Sequence, residues 1–442
     1  MKTQATCALQ FLPIRVAAES LAPAIGWSAR DTFYYLKNFN HVYDKSPDRW
    51  NVLTRAEANW GILKILAKQR VGQAAPAEIS IALYLQNTFF PGRIWEYGQG
   101  VAPKCTPARF ERGVDGDTVA LLRFESPPPC NPIPEKLRLT AADSLECFMS
   151  SKAYRERDKV VEKILSQYAV PPEMVDLVKE IILARMSHLG RLAKYATTDF
   201  SAWAQSQNVG MQVCDSYIFS PVPELQPYWG MLQMYDSYDR AVGGYRADTG
   251  SSALVAEYIR TRLPALMLET GEADFNAFLA EYSNLYEQLK NMATTPQGMM
   301  IAPLLSVLDP MFLKRPRDMF NPDQTGLMAA QWSSTGDNDW GRALFHVGLA
   351  FYYPKYASEA GPLYEATHVN SRTNQFGIWK DMIAQLASPE VAGSMEDQFE
   401  QDEAVRLDLD PNIEYSINET VYNLLRLDEM PGNFEGLPQY GY

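Results

Sequence analysis

The sequence predicts a mainly α protein: a large helix-rich body with a small β-containing projection. Three observations predict it. Apolar residues recur at helical spacing through most of the chain beyond Thr140. The stretch Trp340–Pro354, WGRALFHVGLAFYYP, has only Arg342 and His346 as polar interruptions, so a helix there must be buried on every side. Residues 91–135 concentrate proline, glycine and charge, and Asp115-Gly116 lies between the extended runs RFERGV and DTVALLRFE, a hairpin signal.

In chain order, residues 1–53 carry Pro13, Pro23 and Pro47 and are expected to form an irregular arm, then a short helix around Phe33, Tyr34, Tyr35 and Phe39. Thr54 and Glu57 make a capping box. It opens a helix that buries Trp60, Ile62, Leu63 and Leu66 and ends at Gly72. Ile79, Ile81, Leu83 and Leu85 alternate like a strand, yet the same segment suits a helix after Pro76, and both readings stay open. PPPCNPIP, residues 127–134, is a stiff connector.

Helices are then expected over Thr140–Tyr168 and Pro171–Tyr195, followed by a mixed aromatic region to residue 250. Ser251–Arg262 reads as a helix that Pro264 interrupts. Glu272–Met292 is the cleanest amphipathic helix, with Phe275, Phe278, Leu279, Tyr282, Leu285, Tyr286 and Leu289 on one face. Residues 296–331 are broken by prolines and rich in methionine.

The stretch from Trp340 is too short to cross a bilayer and reads as a central helical post of a soluble fold. Asp337, Asn338 and Asp339 are its cap candidates, Pro354 stops it, and Gly341 and Gly348 share a face where another helix can come close. A last core helix is expected near Thr373–Leu386, with Phe376, Trp379, Met382 and Ile383. Beyond it the chain is acidic, and Ser416 and Glu419 form a second capping box. It ends in MPGNFEGLPQYGY, an extended tail that flops or docks on a neighbour. The resulting division is 1–90, arm and first core helices; 91–135, a hairpin insert placed to protrude; and 136–442, a helical body with its tail.

Composition narrows the function. A hydrophobic share of 46% supports a large core and argues against wholesale disorder. A formal net charge of −13 repels polyanions, so strong electrostatic gripping of nucleic acid is not expected. The N-terminal stretch is broken by Pro13, Arg15, Glu19 and Pro23 and lacks the apolar run of a signal peptide, which points to a cytoplasmic product. Cys7, Cys105, Cys130, Cys147 and Cys214 are odd in number and widely spaced, so five free thiols are expected. The four histidines, His41, His188, His346 and His368, have no partner at zinc-ligand spacing.

No stretch announces a chemistry. Phosphate-binding loops, dinucleotide fingerprints, zinc-protease helices and nucleophile elbows are missing. Asp408, Asp410, Asn412, Glu414, Ser416 and Glu419 take the ligand positions of a calcium loop, but Ile413 stands where the turn needs glycine. His346 is a shielded base or, more simply, a core histidine bonded to a backbone carbonyl. Asp337 and Asp339 are paired carboxylates or, more simply, caps. Ser251 or Ser252 with the distant His188 is a formal nucleophile pair that nothing supports. No catalytic, cofactor or metal residue is assigned.

The helix-rich chain, the PPPCNPIP connector and the segment DNDWGRALFHVGLAFYYPKY together resemble coat proteins of small double-stranded RNA viruses, of the partitivirus kind. The resemblance is one of general build over the whole chain. It implies a mostly α-helical shell-type domain, a protruding insert, paired subunits and a closed icosahedral capsid holding its RNA genome by weak contacts. It also implies assembly in the host cytoplasm and no membrane. Two other classes stay in view: an intracellular α-helical enzyme using acidic residues such as Asp337, Asp339 or the Asp408–Glu419 group, and a helical scaffold.

Overall fold

The structure, a computed structural model, describes residues 7–40, 49–70, 73–91, 105–126, 128–147, 158, 160–168, 170–215, 235, 239–295, 302–353 and 361–388. Its described part is mostly helical, with a small closed barrel of strands. The acidic segment, the Asp408–Glu419 group, the C-terminal tail, His41, Gly72 and Pro354 lie outside the described residues.

The N-terminal unit corrects the expected arm. Strand β1 (Phe11–Pro13) leads directly into helix α1 (Ile14–Ile25), and α2 (Ala29–Lys37) follows. Ile14, Ala17, Ala18, Leu21 and Ala22 form a helical face, and all are buried. The prolines do not prevent it. Pro13 stands just before the first turn, and Pro23 falls in the last turn, which Gly26 closes at φ 72°. Strand β2 (Val52–Thr54) pairs with β1.

The Thr54–Glu57 capping box is present: Glu57 Oε2 accepts the Thr54 N–H and Thr54 Oγ1 accepts the Glu57 N–H, opening α3 (Arg55–Arg70). The ambiguous next segment is a helix, α4 (Pro76–Phe89), begun by Pro76 and by Glu78 accepting the Ala75 N–H. These elements enclose a core of their own that includes Ile14, Leu36, Trp60, Ile62, Ile81 and Phe89.

The Asp-Gly signal marks a hairpin as expected. It joins β3 (Cys105–Gly113) to β4 (Thr118–Arg123), with the Val114 N–H donating to Thr118 O at 2.9 Å. A side chain at Gly116 would stand 2.5 Å from Ala193 Cβ, so the turn is built for close packing on a helix. Strand β5 (Ile133–Leu139) pairs with β4 beyond the proline connector. Two later strands, β7 (Met211–Asp215) and β8 (Ala241–Ala247), complete a closed barrel in the order β3-β4-β5-β8-β7, with β5 and β8 parallel. Counted along the barrel this is order 1-2-3-5-4, with a helix between the third and fourth strands, the connectivity of the OB barrel. The inward residues Val119, Leu121, Leu137 and Val213 belong to the main core, so the hairpin shares the interior of the body.

The expected helix from Thr140 gives way. Strand β6 (Ala142–Asp143) occupies its start, Ala141 has φ 54°, and helix resumes at 160–165. Helix α5 (Pro172–Ser206) runs 35 residues, well past its expected end. Pro264 does not interrupt the next run. Helix α6 (Ser252–Glu257) passes through a π-helical turn at Tyr258–Arg262, α7 (Leu263–Leu266) and a second π turn at Met267–Gly271 into α8 (Glu272–Ala293). The wider turns absorb a residue that cannot donate a backbone hydrogen bond. Helices α9 (Ala302–Leu313), α10 (Pro316–Met319) and α11 (Pro322–Ser333) fill the Met-rich region.

The post is half right. Its residues are buried as expected, including Trp340, Ala343, Leu344, Phe345, Val347 and Phe351. The helix, α12 (Trp340–His346), stops after two turns, and the chain then bends into β9 (Phe351–Tyr352), which pairs with β6. Gly348 is the reason. It sits at φ 66°, and a Cβ there would stand 2.1 Å from the Phe376 carbonyl oxygen. The neighbour that comes close is a short turn of 3₁₀ helix, Gly377–Lys380, and not a long helix. Likewise the single helix expected near Thr373–Leu386 is that turn and a short helix, α14 (Met382–Leu386), and a further helix, α13 (Gly361–Thr373), precedes them.

The expectation of five free thiols is overturned. Cys7 is bonded to Cys130 and Cys105 to Cys214, while Cys147 is free and buried. Cys105 and Cys214 are register partners on β3 and β7, a meeting that 109 residues of sequence separation conceal.

Candidate functional site

The densest chemistry among the described residues is a charged cluster at one end of the barrel. It is made by strand alternation. On β4, Val119, Leu121 and Arg123 point inward; on β5, Ile133, Glu135 and Leu137 do; on β7, Met211, Val213 and Asp215 do. Apolar side chains fill one end and Arg123, Glu135 and Asp215 fill the other. Helix α3 closes that end with Arg55, and Glu125 reaches in from just beyond β4.

Arg55 holds Glu125 through Nη2, at 2.9 and 2.8 Å to its two oxygens, and reaches Glu135 Oε1 through Nη1 at 3.3 Å. Arg123 pairs with Asp215, with Glu135 at 2.6 Å and with Glu125 at 3.3 Å. Side-chain exposure across the five is 5% or less. Burial pushes Glu135 above the usual carboxylate range, opposed by Arg123 and Arg55. Burial works against the charge on Arg123, but Asp215 and Glu135 hold it firmly protonated. Three carboxylates against two guanidinium groups make a paired cluster, whose clearest effect is to fasten α3 to the barrel.

A second cluster lies on α5. His188 Nδ1 shares a 2.5 Å hydrogen bond with Asp274 Oδ2, and Arg191 donates to Asp274 Oδ1 at 2.8 Å. Burial, ahead of the neighbouring Arg185 charge, lowers His188 to about 4. One turn earlier, Arg185 is bonded to Asp381, which also caps α14. An Asp–His pair has the outline of a general base. Here the ring is enclosed by Phe275 and Phe278, with its side chain fully buried, so it joins α5 to α8.

The residues singled out from sequence resolve toward their simpler roles. Asp339 caps α12 by accepting the Arg342 N–H at 2.9 Å and pairs with Arg246 at 2.9 Å. Asp337 accepts from Arg342 Nη1 at 2.6 Å. The ring of His346 bonds the Met328 carbonyl through Nε2 at 2.7 Å. Ser251 precedes α6 and takes no part in the hydrogen bonds and ring contacts recorded for His188. The structure therefore brings Asp337 and Asp339 together with two arginines, and leaves His188 and His346 in separate parts of the core.

No family model, curated protein or solved structure matches this chain. The reading of the site rests on its own geometry. The barrel cluster was missed from sequence, although a signal existed: Arg123 and Glu135 each hold the apolar phase of an alternating strand. No set of His, Cys, Asp and Glu arranged to hold a metal occurs among the described residues, and no described helix is long and apolar enough to cross a membrane.

Proposed function

We propose that the chain is a structural subunit that joins copies of itself into a closed capsid around a double-stranded RNA genome. The observation that carries this is the apolar surface left on the N-terminal unit. Leu9, Phe11 and Trp50, strung along the β1–β2 ribbon, are 39%, 48% and 49% exposed, with the Arg49 guanidinium 5.8 Å from the Phe11 ring centroid. Large aromatic side chains about half exposed on an ordered edge suit an interface between subunits. The buried ionisable groups support the same reading, because those in the clusters described above bind element to element. That leaves less support for the alternative, an α-helical enzyme using Asp337 and Asp339.

In this reading assembly takes place in the host cytoplasm, and the cysteine pairs close once the particle meets an oxidising medium. The shell forms through obligate contacts of about 2,000 Å² or more per interface. The duplex inside is held weakly, as the acidic chain requires. The test is to express the full chain alone, measure its mass in solution and image it. Closed particles of megadalton size support the proposal. A species near the 49.8 kDa chain mass at micromolar concentration overturns it.

A further inference from the structure

We propose that the outward face of β3, β4 and β5 binds single-stranded nucleic acid, taking backbone phosphates on three cations and one base on an aromatic ring. Arg109 and Arg112 on β3 and Lys136 on β5 are all exposed. The register makes them neighbours. Arg109 pairs with Leu122 and Leu122 with Pro134; in the next row Arg112 pairs with Ala120 and Ala120 with Lys136. Directly paired residues share a face.

Arg109 and Arg112 are three apart, which on a regular strand would send them to opposite faces. The ladder slips between Phe110 and Arg112, and this bulge returns Arg112 to the side of Arg109. Strand spacing sets Arg112 and Lys136 about 10 Å apart across the small side chain of Ala120, with the Arg109 row about 7 Å further along. None of the three is in an ion pair among the described residues, in contrast to Arg123, Arg138, Arg185 and Arg246. Phe124 continues the outward phase of Ala120 and Leu122. Its N–H donates to Pro107 O at 2.9 Å, which fixes the backbone, and its side chain is left 42% exposed.

Unpaired cations in two rows beside a fixed, open ring suit a flexible polyanion with accessible bases. A duplex hides its bases and cannot use the ring. A nucleic-acid strand brings a planar base with every phosphate, so one flexible ligand can meet the cations and the ring together. The acid on this face of β3 is Glu111, at the bulge. The chain's overall −13 limits attraction to this local set, so binding is moderate. The connectivity of the barrel carries no function by itself; the side chains do. This inference stands whether or not the subunit builds a shell.

The experiment uses the full chain and a fluorescein-labelled 16-nucleotide oligouridylate, read by anisotropy between 50 and 200 mM NaCl. Binding is expected with a log–log salt slope near −2, from three cations at about 0.7 each. R109E/R112E/K136E is expected to weaken binding at least thirtyfold, and Phe124→Ala by about five- to a hundredfold. A 16-base-pair duplex is expected to bind at least tenfold more weakly. All four positions are exposed, and unchanged far-UV circular dichroism verifies that the variants fold. No binding at 50 mM salt, an unaffected triple variant or equal binding of the duplex overturns the proposal. Light scattering on the same samples reports assembly separately, so loss of the shell reading and loss of this one are distinguishable.

Discussion

Arg55 reaches from the N-terminal unit into the barrel cluster, and its removal would leave Arg123 to hold Glu125, Glu135 and Asp215 in a dry site. Breaking a buried pair by deleting one partner costs about 3–5 kcal/mol, because the surviving charge loses its compensation. Arg55→Met is therefore expected to lower the urea midpoint by that equivalent, and adding Glu135→Gln to recover part of it; an unchanged midpoint would contradict the ion-pair geometry. The histidines make a pH prediction at the same scale. His188 and His368 are both lowered to about 4, each chiefly by burial. Between pH 6.5 and 4 the unfolded chain takes up protons that the folded chain refuses, so stability falls as pH falls through that window. The loss for His188 amounts to about 3 kcal/mol at pH 4. Glu135 and Asp115, raised mainly by burial, act in the opposite sense and shrink the total. Thermal melts from pH 6.5 to 4.5 are expected to drop less in His188→Gln than in the native chain; parallel drops would remove His188 as a contributor.

At the scale of elements, the barrel is closed by a short seam. β3 and β7 share three register pairs, Cys105 with Cys214, Thr106 with Val213 and Pro107 with Gln212, and the disulfide spans the first of them. Cys7–Cys130 ties the start of the chain to the β4–β5 connector, beside the Gln10 side chain donating to Pro134 O at 3.0 Å. Each bond closes a loop of more than a hundred residues, worth roughly 2–5 kcal/mol. Dithiothreitol, or Cys105→Ser, is expected to lower the melting temperature at neutral pH, and a non-reducing peptide map should recover both pairs; identical melts with and without reductant would count against them. These links also mark where sequence reasoning stopped. The Thr54 box, the Asp115-Gly116 hairpin and the Glu272 helix were legible because their causes lie within a few residues. α1 was legible too, had the spacing of Ile14, Ala17 and Leu21 been weighed above its prolines. The break after His346 and the pairing of Cys105 with Cys214 were not, because Phe376 and β7 supply the cause from far along the chain. The charged cluster was half legible, since Arg123 and Glu135 break an alternation that otherwise stays apolar.

For the whole molecule, two cores and one strongly negative envelope govern association. The N-terminal unit keeps its own apolar interior, while the barrel and the later helices share the larger one. At −13 per chain, copies repel one another until counter-ions screen them. Assembly is therefore expected to need less protein as NaCl rises from 50 to 300 mM, followed by light scattering. A threshold that climbs with salt would mean that the subunit contacts are themselves ionic, and the apolar edge at Phe11 and Trp50 would lose its assigned part.

The order of strands around the barrel has a consequence for synthesis. Cys214 leaves the ribosome 109 residues after Cys105, a wait of roughly 5–20 s at ordinary translation rates. From the emergence of β5 until β7 follows, β3, β4 and β5 stand as an open sheet with Val119, Leu121 and Leu137 uncovered. The nascent chain is most vulnerable to aggregation then, and a holding chaperone at the tunnel exit would have its main opportunity.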